Sequence, residues 1–133
     1  MKVAEVMTEN PLTLEPEDAI WQAEEIMNQH DIRQLPVVDD NEVVGIITDR
    51  DIRSFLSGKL FGTPEDREKA MNTKIRTVMT TKPISLSPDD DLRDAVELLI
   101  EEKVGGIPVI DEEERLVGIV TQMDILRCFL ERL

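Results

Sequence analysis

The sequence predicts an α/β (α+β) fold made of two tandem β-α-β-β-α units related by a pseudo-two-fold axis. Three observations carry that expectation. The chain repeats itself about 72 residues apart, and self-similarity at a fixed period marks a duplicated supersecondary unit. Val6-Met7-Thr8 returns as Val78-Met79-Thr80, and Pro11-Leu12-Thr13-Leu14-Glu15-Pro16 returns as Pro83-Ile84-Ser85-Leu86-Ser87-Pro88. Leu35-Pro36-Val37-Val38-Asp39 likewise returns as Ile107-Pro108-Val109-Ile110-Asp111. Within each copy, a stripe of apolar residues at helical spacing is followed by two β-branched runs, the pattern of a helix and then a hairpin. Finally, half of a 133-residue chain buries too little surface to be stable alone, so the halves are expected to need each other.

In the first copy, Leu12-Thr13-Leu14 reads as a short strand ending at Pro16. Pro16-Glu17-Asp18 is then expected to open a helix, with proline in the first turn and carboxylates at the positive dipole end. Ala19, Ile20, Ala23, Ile26 and Met27 give its apolar stripe through about His30. Leu92, Ala95, Leu98, Leu99 and Ile100 repeat that stripe in the second copy. The runs Leu35-Pro36-Val37-Val38 and Val43-Val44-Gly45-Ile46-Ile47 flank Asp39-Asp40-Asn41-Glu42 and read as a hairpin with a polar turn. The second strand ends at Thr48, and residues 49–56 have the pattern of a second helix. A strand–helix–strand connection in one sheet is right-handed, with helices covering one face.

Ser57-Gly58 and Phe61-Gly62-Thr63-Pro64 break the chain between the copies. Thr63-Pro64-Glu65-Asp66 is expected to start a short helix to about Met71, with Thr63 as N-cap. Lys74-Ile75-Arg76-Thr77-Val78 leads into the second copy. The expected boundaries are therefore 1–60, a linker at 61–74, and 75–133.

Composition excludes several function classes. At 41% hydrophobic and 33% charged residues, the chain resembles an ordinary globular protein. It lacks the apolar runs of a membrane span or signal peptide, so a cytoplasmic protein is expected. A net charge of −14 argues against a nucleic-acid polymer or an anionic membrane as partner. Residues 1–66 carry 5 basic and 15 acidic side chains, against 10 and 14 in residues 67–133. Asp89-Asp90-Asp91 and Glu112-Glu113-Glu114 are expected at a helix start and a hairpin turn, since the spacing of a calcium loop is missing. Cys128, the single cysteine, is expected to be a buried structural thiol, and with one histidine it cannot build a structural zinc site. His30 is expected at a helix end.

The most informative local motif is Gly-apolar-apolar-Thr-x-x-Asp, at residues 45–51 and 118–124. Thr48 and Thr121 end a strand, and Asp51 and Asp124 fall in the first turn of the next helix. Free N–H groups and the positive dipole end gather there. A threonine hydroxyl in that place can donate to a phosphate, and a carboxylate one turn on can accept ribose hydroxyls. The same residues can simply cap the helix, and the two roles are compatible. No nucleophile–base constellation, phosphate loop or metalloprotease motif is present, so no enzyme activity is expected.

Both copies resemble CBS motifs, and the tandem pair resembles a Bateman module. The matching residues are Val-Met-Thr, the runs from Ile32 to Asp39 and from Val104 to Asp111, and Gly-x-x-Thr-x-x-Asp-Ile. The resemblance covers residues 3–56 and 75–130. It implies clefts between the two motifs that hold adenosine derivatives such as AMP, ADP, ATP or S-adenosylmethionine, a regulatory ligand and not a required cofactor. Asp51 and Asp124 would then take ribose hydroxyls, and Thr48 and Thr121 would contact phosphate. Ile32-Arg33-Gln34 and Val104-Gly105-Gly106 would line the base, Pro11-Leu12 and Pro83-Ile84 would form the opposite apolar wall, and Arg50 and Met123 would complete the set.

The copies differ at this site. The first has Arg50 beside Arg33 and Arg53, cationic partners for phosphate. The second has Gln122-Met123 and Gly105-Gly106 instead. The first-copy site is therefore expected to prefer phosphorylated adenosine, and the second to be weaker, empty or selective for a less charged ligand. The resemblance also implies pairing into dimers and signalling to an effector protein by conformational or assembly change. Ile52, Phe55 and Leu56, with Ile125, Phe129 and Leu130, are candidates for a partner helix or for an intramolecular interface. The alternatives are a ligand-free dimerisation module and a regulatory part of a larger enzyme or transporter.

Overall fold

Polar turns and helix caps, more than apolar content, fix where the elements begin and end. The structure, a computed structural model, describes the backbone of residues 1–133 and every side chain except that of Leu60. In chain order the elements are β1 (Thr8–Glu9), α1 (Ile20–His30), β2 (Gln34–Asp39), β3 (Glu42–Thr48) and α2 (Asp49–Leu56). They continue as α3 (Pro64–Met71), α4 (Ile75–Val78), β4 (Thr80–Thr81), α5 (Leu92–Glu102), β5 (Gly106–Ile110), β6 (Leu116–Thr121) and α6 (Gln122–Leu130). Short 3-10 turns occupy Val3–Glu5 and Lys59–Phe61. No described helix is long and apolar enough to cross a membrane.

The chain packs as two compact units whose boundaries cut across the sequence repeat. One comprises Leu12–Asp39 and Val44–Lys82; the other comprises Met1–Pro11, Asp40–Val43 and Pro83–Leu133. The segment before each Pro11 or Pro83 thus belongs with the opposite copy.

In the first of these units the sheet order is β2-β3-β4. Asp40 (φ 50°) and Asn41 (φ 68°) form the two-residue hairpin turn between β2 and β3. Paired positive φ is what the twist of such a hairpin requires. β4 runs antiparallel to β3, with Thr81 opposite Gly45 and Thr80 opposite Ile46. Leu35, Val37 and Ile47 point inward to meet Ile20, Ala23 and Met27 of α1, Ile52 and Leu56 of α2, and Ile75 of α4. α3 begins as expected: Thr63 Oγ1 accepts from Asp66 N–H and Asp66 Oδ2 accepts from Thr63 N–H, both at 3.1 Å.

The other unit has sheet order β1-β6-β5, with Thr8 opposite Ile119 and Glu9 opposite Gly118. Its hairpin turn is longer. Asp111 Oδ1 accepts from the N–H groups of Glu113 (2.8 Å) and Arg115 (2.9 Å), and Glu114 takes a positive φ of 63°. That turn accommodates the residue by which the second copy exceeds the first. Val3, Leu86, Ala95, Leu99, Ile107, Val109 and Val120 form its core. Pro36 and Pro108 lie in β2 and β5, the edge strands of their sheets, where a missing N–H does least harm.

The structure corrects several expectations. The strand expected at residues 12–14 is a single parallel bridge, with Leu14 N–H donating to Pro36 O (3.0 Å) and Leu14 O accepting from Val38 N–H (2.8 Å). Leu86 repeats it between Pro108 and Ile110 (2.9 and 2.8 Å). The third strand of each sheet comes instead from the Val-Met-Thr segment. α1 starts at Ile20, because Pro16-Glu17-Asp18 forms a turn in which Asp18 Oδ2 accepts from Glu15 N–H at 2.8 Å. Glu17 does not face the dipole; it pairs with Lys74 (2.7 Å) and with Arg76. Ile100, placed on the apolar stripe, is 70% exposed. Cys128 is half-buried, with its thiol 3.8 Å from Met1 Sδ. His30 is the exposed last residue of α1, and the two acidic runs occupy the α5 start and the β5–β6 turn.

Candidate functional site

Each unit carries one strand-to-helix corner built by the Gly-x-x-Thr-x-x-Asp motif. At the first, Thr48 caps α2: its Oγ1 accepts from Asp51 N–H (3.0 Å), and Asp51 Oδ2 accepts from Thr48 N–H (3.0 Å). At the second, Thr121 Oγ1 accepts from Asp124 N–H (3.2 Å), and Asp124 Oδ2 accepts from Thr121 N–H (2.8 Å). These reciprocal bonds satisfy donors that a helix start leaves unpaired.

The glycine opening each motif has a steric reason. A Cβ on Gly45 would lie 2.6 Å from Met79 Sδ and 2.9 Å from Thr80 O. On Gly118 it would lie 2.6 Å from Met7 Sδ and 2.9 Å from Thr8 O. Each Val-Met-Thr segment thus lies directly on the strand that leads to a Thr-x-x-Asp corner.

The loop expected to line a base is tied to the same corner in both units. Arg33 O accepts from Asp49 N–H (2.9 Å), and Gly105 O accepts from Gln122 N–H (3.0 Å). Gln122 Nε2 also donates to Val104 O at 3.3 Å. Ile32, Arg33 and Gln34 are therefore gathered with Thr48, Arg50 and Asp51, and Val104, Gly105 and Gly106 with Thr121, Met123 and Asp124. Arg50 and Met123 are exposed on the first helical turn. Leu12 and Ile84 are exposed apolar residues, and Pro11 and Pro83 are half-buried.

Two of the cationic groups expected for phosphate have another partner. Arg33 Nη1 lies 3.8 Å and Arg53 Nη1 3.4 Å from Asp49 Oδ2. With Ile32, Asn28 and Ile52 they border a cavity of about 350 Å³, which neither Thr48 nor Asp51 lines. Arg50 has no such ion pair among the described residues, leaving it the free guanidinium of the first corner.

The carboxylates differ most. Asp51 is half-buried and, among the described residues, only its Oδ2 has a hydrogen-bond donor; the Thr48 hydroxyl proton has no acceptor there. Asp124 is 7% exposed and engaged on both oxygens. Its Oδ2 also accepts from the Thr121 hydroxyl (3.0 Å), while Oδ1 accepts from the Thr8 hydroxyl (2.9 Å) and lies 3.8 Å from Arg127 Nη1. Thr8 had no expected role. The one signal for it was the unexplained return of Val-Met-Thr in both copies.

Comparison with known proteins bears on this arrangement. The CBS domain family matches residues 3–58 and 75–131. The chain is 33% identical, over 141 residues, to the uncharacterized protein MJ1225 of Methanocaldococcus jannaschii, an alignment covering 100% of this chain and 50% of that one. It spans half or less of the length of several curated relatives. Among solved structures, the CBS domain pair of protein MJ0100, in complex with 5'-methylthioadenosine and S-adenosyl-L-methionine, matches at TM-score 0.84 and 29% identity, covering 100% of this chain and 98% of that one. CBSX2 of Arabidopsis thaliana, in complex with AMP, matches at TM-score 0.83 and 28% identity, covering 98% and 96%. Two family matches on a duplicated fold make the assignment direct: the chain belongs to the CBS domain family, as a tandem CBS pair, or Bateman module.

Proposed function

We propose that this chain is a non-catalytic regulatory module that binds an adenine nucleotide, with Thr48–Asp51 as its principal site. It passes the binding event to a partner protein by a change of conformation or assembly, in a cytoplasmic setting. The observation that carries the reading is the open chemistry of the first corner. Among the described residues, an Asp51 carboxylate oxygen, the Thr48 hydroxyl proton and the Arg50 guanidinium are left without partners at the start of α2. A ribonucleotide needs that set: an acceptor for its diol, and donors with positive charge for its phosphate. Ile32, Arg33 and Gln34 stand beside them for the base. The AMP complex of CBSX2 and the S-adenosylmethionine complex of the MJ0100 pair support the choice of ligand class.

On this reading the second corner is the weaker site, since Asp124 already has its hydrogen-bond donors. Isothermal titration with AMP tests it. Asp51→Ala is expected to weaken binding at least about tenfold, the scale of losing a hydrogen bond to a charged group. Asp124→Ala is expected to change it far less. Equal losses from the two substitutions would count against the asymmetry, and no binding of AMP, ADP, ATP or S-adenosylmethionine by the folded protein would count against the nucleotide.

A homodimer belongs to the same proposal, through α6. Ile52 and Leu56 of α2 are buried in their own core, so that helix keeps only Phe55 partly available. Leu126, Phe129 and Leu130 of α6 stand 59–69% exposed. Exposed apolar clusters of this kind mark association surfaces. Light scattering on Phe129→Glu should show a smaller assembly than the wild-type chain; an unchanged mass would remove α6 from the interface.

A further inference from the structure

The Thr8 hydroxyl does to Asp124 what a ribose hydroxyl would do. It donates a 2.9 Å hydrogen bond to Oδ1, from a residue 116 positions away in sequence. Carboxylate oxygens offer about four lone-pair positions. At Asp124 the Thr121 N–H and hydroxyl take both on Oδ2, Thr8 takes one on Oδ1, and Arg127 closes on the same oxygen at 3.8 Å. The Thr121 proton is likewise directed at Asp124 and away from any phosphate.

The corresponding contact is missing from the other corner. Thr80 occupies the equivalent place, opposite Ile46 as Thr8 is opposite Ile119. Among the described residues, its hydroxyl makes no bond to Asp51. The backbone pairing is therefore the same in both sheets, and only one of the two threonines reaches its aspartate.

We propose that Thr8 is an internal competitor for the second corner: its hydroxyl holds the acceptor that a ligand diol needs, and a diol-bearing ligand enters only when that hydroxyl turns away. The proposal rests on the reading of the Thr-x-x-Asp corners as nucleotide sites. It makes the short strand β1 the element that senses occupancy at Asp124, because Thr8 belongs to β1 and pairs with β6 through its backbone. It also makes Thr8 a specificity-determining residue, since only a ligand bringing its own hydrogen-bond donors can take over the contact.

The test removes the open site first and then the competitor, with AMP as the probe. In an Asp51→Ala background, adding Thr8→Val is expected to tighten AMP binding about tenfold or more, the size of effect that one hydrogen bond to a carboxylate can exert. Adding Thr8→Ser, which keeps a hydroxyl, should restore the weak binding. The gain should vanish with 2',3'-dideoxy-AMP, which lacks the diol. Thr8 is exposed and held in β1 by its backbone, so the fold should tolerate these changes; should the valine variant fail to fold, Thr8→Ala makes the same test. Wild-type binding of AMP with no gain from Thr8→Val or Thr8→Ala overturns the Thr8 proposal alone. Failure of the wild-type chain and of every variant to bind AMP overturns the nucleotide reading and this proposal with it.

Discussion

The Thr48–Asp51 and Thr121–Asp124 corners share a backbone plan and differ in what already satisfies the carboxylate. Among the described residues Asp51 keeps a free oxygen, while Asp124 is bonded from Thr8 and Thr121 and approached by Arg127. Duplication therefore copied a scaffold and left its chemistry free to diverge. One corner retains capacity for a guest, and the other uses the same group to hold its own strands and helix together.

The largest expected effects test what the two units share. Gly45→Ala and Gly118→Ala each drive a methyl group against a methionine sulfur and a backbone carbonyl, which cannot retreat without moving a strand. Each should cost about 2–3 kcal/mol in urea denaturation, the range of an overpacked core. A large loss from one and none from the other would break the equivalence of the two sheets.

Next come the carboxylates themselves. Asp124→Ala removes a cap and the acceptor shared by the Thr8 and Thr121 hydroxyls, so it should lose about 2 kcal/mol of stability. Asp51→Ala removes little more than a cap, about 1 kcal/mol. The order of these losses is opposite to that expected for AMP affinity, which separates structural from ligand-binding use in a single pair of variants.

A smaller contrast lies at the helix ends. α1 and α5 both finish on a left-handed residue, Asp31 (φ 51°) and Lys103 (φ 55°). Aspartate tolerates that conformation better than lysine. Lys103→Gly should therefore raise stability by about 1 kcal/mol, and Asp31→Gly by less. Thermal melts that rank the two the other way would sink this account.

The smallest effect distinguishes the hairpins. The Asp111 carboxyl is held below its ordinary value, first by the Arg115 N–H, against a burial contribution of opposite sign, and then by the Glu113 N–H and the Arg115 side chain. A lowered value means the turn gains from ionisation above the ordinary carboxylate pKa of about 3.9 and loses that gain as pH falls through the depressed value. Amide resonances of Glu113 and Arg115 should shift on acidification, and in Asp111→Asn at neutral pH.

Much of this molecule was legible in its residues. The fold class, the hairpins, the Thr63 cap and the doubled Thr-x-x-Asp corners all follow from local chemistry. The misreadings have physical causes too. Pro16 looked like a helix opener, but Asp18 is captured by the Glu15 N–H before the helix begins, just as Asp90 is captured by Ser87 N–H at 2.8 Å. The exchange of Val-Met-Thr strands was invisible because the two copies are alike: Met7 or Met79 would lie equally well over Gly45 or Gly118. The Thr8–Asp124 bond was hidden for the same reason, since it depends on which of two similar strands arrives. The expectation that Arg33 and Arg53 serve phosphate omits the competing carboxylate of Asp49, which the α2 start brings to both.

The crossed membership of the leading segments sets an order of assembly during synthesis. During synthesis, residues 1–11 have no sheet to join until β6 emerges, while residues 12–82 can complete their own sheet once Thr80 and Thr81 appear. The Val6-Met7-Thr8 strand thus waits for the second copy, and a fragment cut at the boundary between the repeats would leave each sheet one strand short.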